Sequence, residues 1–229
     1  MKIITNSQKL RVMMKLMFPS MTDAITALEE NQQISIIYQE YLFILHSFVR
    51  ASVPLMNKAY QQLQQDTSKQ DPMYSLLLNY LEHHIEEENN HDLWILEDLE
   101  ILGINRQELL NRVPNYKVAE IVGMQYYWIY HFHPAVLLGY IAVMEGQPPS
   151  MKMIERMIAK TGYPREAFRT LIYHSQVDAE HQKDLDTLLD DMNLSSDLLS
   201  AVIKNALHTF SVSIDILRGL TEQSVTRIY

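Results

Sequence analysis

Helix punctuation constrains this chain more than any other feature of its sequence. Asp71-Pro72 pairs an N-cap residue with a first-turn proline, and Gly103 closes the run that follows, which predicts one long helix between them. Asn115 opens a second, ending at Glu145-Gly146 ahead of a tight turn at Pro148-Pro149. Ser150 caps a short helix that stops at Gly162, Pro164 starts a long one reaching Met192, and Ser195-Ser196 caps a last helix to Gly219. From Gln33 to Leu63 a helical apolar period runs through Ile37, Leu42, Ile44, Leu45 and Phe48, and Pro54 is expected to bend it. No alternating run bounded by turns suggests a strand, and there is no internal repeat. The expectation is an all-α bundle forming a single helical domain over residues 1–229.

What such a bundle can bind is narrowed by what it lacks. The 229 residues include no cysteine, which excludes zinc fingers, iron–sulfur clusters, disulfides and thiol nucleophiles. Neither G-x-G-x-x-G nor G-x-x-x-x-G-K occurs, so nucleotide binding through those loops is excluded as well. With 19 basic and 28 acidic residues, a net charge of −9 and no basic run, nucleic acid and anionic membranes are not expected partners. The N-terminal stretch carries Lys2, Lys9 and Arg11, but Lys15 interrupts its apolar part, so a signal peptide is not expected. The segment from Tyr126 to Met144 has no Asp, Glu, Lys or Arg and is long enough to span a bilayer. His131, His133, Pro134 and its tyrosines favour a helix buried in a water-soluble core instead, and a cytoplasmic setting is expected.

The informative residues are the ionisable ones on apolar faces. In the helix from Pro72 the stripe through Met73, Leu77, Tyr80, Ile95 and Leu102 also carries His84, Glu88 and His91. Glu88 lies about 60° to one side of His91 and Glu87 about 40° to the other, with the stripe centre on the Glu88 side. Glu88 is preferred, and Glu87 stays open. In the helix from Pro164, His174, Asp178 and His181 fall at i, i+4 and i+7 on a face shared with Ala167, Leu171, Leu185 and Leu188. In the helix from Asn115, Glu145 ends a face made of Tyr127, His131, Pro134, Leu138 and Ile141, at a C-terminus whose dipole disfavours a carboxylate.

Buried and unpaired, such groups would cost several kcal/mol each, so something must compensate them. Three carboxylates and three imidazoles on inward faces of separate helices suit a two-metal site. Without sulfur donors, iron or manganese is favoured. His84 and His131 point toward this site and, with Tyr127, are read as lining its substrate pocket. His83 and His208 are read as solvent-facing or satisfied, while His46 and His133 stay undetermined.

The segments HHIEEENNHDLWILEDLEILG, YYWIYHFHPAVLLGYIAVMEGQPP and YHSQVDAEHQKDL resemble the haem-oxygenase-like diiron oxidases, also called iron-containing redox enzymes, over about residues 33–215. The resemblance implies a seven-helix haem-oxygenase-like bundle. Matched motif by motif, it makes Glu88, His91, Glu145, His174, Asp178 and His181 the metal ligands. It further implies two iron ions, O2 as cosubstrate and oxidation of a small amino-acid-like or fatty-acid-like substrate. An electron donor and a second copy of the chain are the protein partners expected. Two alternatives keep the fold without that chemistry: a non-catalytic metal- or ligand-binding protein, and a cofactor-free oxidase that binds substrate through His84, His131 and the triplet.

Overall fold

The computed structural model describes residues 4–65, 71–146 and 148–222; Lys2 and Gln147, within segments discussed above, lie outside them. Among the described residues every regular element is helical. In chain order they are α1 (Asn6–Lys15), α2 (Phe18–Glu30), α3 (Ile34–Gln65), α4 (Pro72–Glu88), α5 (His91–Ile101), α6 (Arg106–Asn111), α7 (Tyr116–His131), α8 (Leu137–Met144), α9 (Met151–Thr161), α10 (Arg169–Asp191) and α11 (Ser196–Glu222), with 3-10 turns at Pro134–Val136 and Arg165–Phe168.

The all-α expectation holds, but three long helices are segmented differently from their punctuation. The run from Pro72 breaks at Asn89-Asn90. Asn90 has φ 70°, a left-handed conformation that asparagine tolerates better than most residues, and it lets α5 leave at a new angle. The run from Asn115 ends at His131. His133 is held extended by the proline after it, and its Nδ1 accepts from Ala135 N at 3.1 Å to start the 3-10 turn. The long helix from Pro164 starts with a 3-10 turn, and α10 proper begins at Arg169. Conversely, α3 runs unbroken through Pro54. Two further helices, α1 and α2, occupy the N-terminal stretch. Thr5 and Gln8 form a reciprocal capping box at the start of α1, and Ser7 N and Oγ donate to Asp190 at 2.7 and 2.9 Å, docking it on α10.

The interior is built as two apolar cores. One joins Leu77 and Leu81 of α4, Leu138 to Val143 of α8, Leu185 to Leu189 of α10, and the inner face of α11. The other joins Ile37 to Phe43 of α3, Ile95 to Leu99 of α5, Ile154 and Met157 of α9, and Phe168 with Leu171 at the start of α10. Gln125 and Asn205 exchange amide bonds at 3.1 and 2.8 Å, and Asn205 Nδ2 also donates to Val136 O at 2.7 Å, tying α7 and the 3-10 turn to α11. Among the described residues no helix is long and apolar enough to cross a membrane; the uncharged stretch from Tyr126 to Met144 is cut in two by Phe132-His133-Pro134.

Candidate metal centre

Between the two cores, α4, α5, α10 and the end of α8 turn ionisable side chains toward one another. They form two groups. In the first, His84 of α4, Glu145 at the C-cap of α8 and His181 of α10 offer ligand atoms all within 4.8 Å of each other. His84 Nε2–H donates to Glu145 Oε1 at 2.6 Å, and His181 Nδ1 lies 3.8 Å from Glu145 Oε2. In the second, Glu88 at the end of α4, His91 at the start of α5 and His174 of α10 meet under the same limit. His91 Nδ1–H donates to Glu88 Oε2 at 3.0 Å, and the His91 and His174 rings stand edge to face 5.2 Å apart. Asp178 lies between the groups: it accepts from His174 Nδ1 at 2.9 Å and lies 3.9 Å from His181 Nδ1.

Five of these residues are buried, and Glu145 sits at the margin with 9% exposure. His174, on the outer side, keeps 18% of its side chain exposed. Burial works against charge on His84, yet the bond to Glu145 and the nearby charges of Glu145, Glu88 and Glu87 prevail and raise its pKa. Burial likewise opposes the His174 imidazolium, and Asp178 with Glu88 and Glu145 overcomes it, again upward. Glu145 is pushed up by its own burial more than His84 brings it down. Burial pushes Glu88 up too, but the bond from His91 and the charges of His91, His174 and His84 hold it below the ordinary carboxylate value.

Three donor atoms in these groups, Glu88 Oε1, Glu145 Oε2 and His181 Nδ1, are buried without a hydrogen-bond partner. Orphaned buried acceptors are costly unless another ligand takes them, so their convergence fits a pair of cations. The donor set, imidazole nitrogen and carboxylate oxygen without thiolate, fits iron or manganese.

The structure brings Glu88, His91, Glu145, His174, Asp178 and His181 together. Glu88 is the inward carboxylate. Glu87, with its side chain 38% exposed, lies on the rim, 3.7 Å from His84 and 3.8 Å from His181. His84 moves from the expected pocket lining into the first group. Tyr127 and His131 are a correction: Tyr127 is 61% exposed, His131 is exposed beside it with ring centroids 5.0 Å apart, and neither joins the buried groups. The break at Phe132-His133 uncouples α7 from α8, so the two no longer share one helical face, and α7 buries Val118, Ile121, Gln125 and Ile129 instead.

Asp98, fully buried on α5, is a polar group beside the site that sequence reasoning missed. Its Oδ2 accepts from Thr170 N at 3.0 Å and Thr170 Oγ1 at 2.6 Å, tying α5 to the first turn of α10, the helix that carries His174. The sequence does not single it out, because Asp98 is one of three acids among the hydrophobes of WILEDLEIL.

A helical fold that converges histidines and carboxylates on a buried seam defines a class of candidate metal-dependent proteins. The chain belongs to the iron-containing redox enzyme family, whose profile matches residues 48–213. Its fold is that of a solved domain of unknown function with a haem oxygenase-like fold from Shewanella denitrificans, at 17% identity, 96% of this chain, 93% of that one and a TM-score of 0.76. A TenA homolog from Pseudomonas syringae pv. tomato is similar at 13% identity, 91% of this chain, 92% of that one and a TM-score of 0.64. No curated protein matches.

Proposed function

We propose that the protein is a non-haem diiron oxidase that uses O2 to oxidise a small organic substrate, amino-acid-like or fatty-acid-like. Glu88, His91 and His174 would hold one ion and His84, Glu145 and His181 the other, with Asp178 the carboxylate between them. The observation that carries this reading is the convergence of unpartnered buried donors, Glu88 Oε1, Glu145 Oε2 and His181 Nδ1, on two three-residue groups. His84 adds an imidazole to the six ligands implied by the motifs. Two iron ions, or manganese in their place, would supply the open coordination positions that O2 activation requires.

The chain's own part follows from its geometry. Asp178 on His174 Nδ1 fixes that imidazole's orientation and leaves Nε2 to ligate, the carboxylate–imidazole pairing that tunes a metal-bound histidine. Glu88 plays the same part on His91 Nδ1 in the absence of metal; metal competes with protons on the ligating atoms, so affinity would fall as pH falls. The apolar cores on either side exclude water from the seam.

The imidazole–carboxylate bonds also favour a second reading, a self-paired network that takes an organic substrate without metal. Anaerobic Fe(II) titration separates the two. The diiron reading expects close to two equivalents bound, loss of binding in His174→Ala, and a transient visible band on admitting O2. Absence of binding, or binding unchanged in His174→Ala, rejects it.

A further inference from the structure

Trp94 and Tyr173 are not needed as ligands, yet both touch the second group. The Trp94 ring lies 4.1 Å from that of His91 between centroids. Tyr173 stands edge-on to Trp94 at 5.1 Å, to His91 at 5.5 Å and to His174 at 5.6 Å. It is 39% exposed and lines a shallow surface hollow with Arg165, Arg169, Ile172 and Gln176. Ring contacts therefore run unbroken from two candidate ligands to solvent. Indole and phenol are among the most readily oxidised side chains, and a leucine or phenylalanine would serve packing here equally well. Trp94 is half-buried and Tyr173 exposed, so the phenolic proton can leave to water and draw an electron vacancy outward, to Tyr173.

We propose that Trp94 and Tyr173 form a relay that drains oxidising equivalents from the site to the surface, an inference that rests on the metal-centre reading above. An O2-derived oxidant left without substrate takes one electron from Trp94. Tyr173 replaces that electron and releases its phenolic proton to water at its exposed edge. A one-electron, one-proton reductant in solution, a thiol or an ascorbate-type enediol, then restores the phenol. One electron and one proton leave the reductant; the electron reaches the oxidant and the proton stays in water.

The chain has no cysteine, so Gln176→Cys gives a unique thiol in the hollow for a ruthenium photosensitiser. In the metal-free labelled protein, flash oxidation is expected to produce a tyrosyl signal. In Tyr173→Phe a tryptophanyl signal replaces it, and in the Tyr173→Phe, Trp94→Phe double variant both are lost. A radical unchanged in Tyr173→Phe, or persisting in the double variant, overturns the relay. Loaded with Fe(II), the tyrosyl signal decays as ferric absorbance grows, and Trp94→Phe loses that growth; growth unchanged in Trp94→Phe also overturns it. Failure of iron to bind counts against the metal centre, and the metal-free result then decides the relay by itself.

Discussion

His46 shows how much one side chain can depend on its neighbours. It is 2% exposed on α3, its Nδ1 has no hydrogen-bond partner, and burial, helped by the Arg50 charge, lowers its pKa to about 4. Above its ordinary value the ring is neutral folded or unfolded, so it contributes no pH dependence there. As pH falls from about 6.5 toward 4 the unfolded chain takes the proton and the folded chain refuses it, and stability falls by about 1.4 kcal/mol per pH unit. Urea unfolding at several pH values should show a shallower slope across that window in His46→Gln than in the wild type, the difference isolating His46 from other titrating groups. Sequence placed His46 nowhere in particular, because a lone histidine in an apolar period can be a ligand, a hydrogen-bonded core group or a neutral filler. The candidate ligands were more legible. His174, Asp178 and His181 repeat on one helical face, a coincidence that a surface helix does not need. His84 was found as an inward residue but assigned to the pocket, since what makes it a candidate ligand is Glu145 Oε1 at 2.6 Å, 61 residues away in the chain.

At the scale of elements, the starts were easier to read than the breaks. Asp71, Asn115 and Ser150 do cap α4, α7 and α9, each accepting a backbone N–H from its first turn. The break at Asn89-Asn90 was invisible because the apolar stripe resumes in phase beyond it, and two asparagines are weak evidence against a helix. The break before Pro134 was visible as a proline, but the uncharged surroundings argued for continuity. Continuity through that break would put Tyr127 and His131 on the inward face, whereas both are exposed. Glycines test the packing that results. Gly139 lies where α8 crosses α11; a Cβ there would collide with Val202 O and stand 2.9 Å from Ala206 N. Gly139→Ala should therefore cost about 1–3 kcal/mol in denaturant unfolding, since the obstruction is backbone and the helices must separate. Gly123, on the exposed side of α7, has nothing within 4 Å, and Gly123→Ala should gain about 0.5–1 kcal/mol by helix propensity alone. Equal effects at the two sites would refute the close crossing.

Over the whole molecule, the candidate centre is the seam between two cores. α10 passes from one to the other, with Leu171 on one side, Leu185 on the other, and His174, Asp178 and His181 between them. The connection from α4 to α5 does the same, from Leu81 through His84, Glu88 and His91 to Ile95. Polar groups at a seam weaken the apolar continuity that would otherwise join the halves, and the proposed cations would offset that cost. On the proposed reading, cations that bind the folded chain alone would stabilise it: at a free metal concentration 100 times Kd, each site would add about 2.7 kcal/mol. For a chain of this size each kcal/mol raises Tm by about 2–4 °C. Thermal unfolding with anaerobic Fe(II) or with Mn(II) should therefore rise against a chelated control. Glu145→Gln separates the two sides of this exchange, because its amide keeps the carboxylate's shape without its buried charge. Glu145 accepts from buried His84 and favours its charged form, so loss of that carboxylate charge should lower the melting point of the metal-free variant. With metal it should lose the gain attributable to the His84, Glu145 and His181 group. A variant that still gains fully with metal would place the stabilising cations somewhere other than the seam.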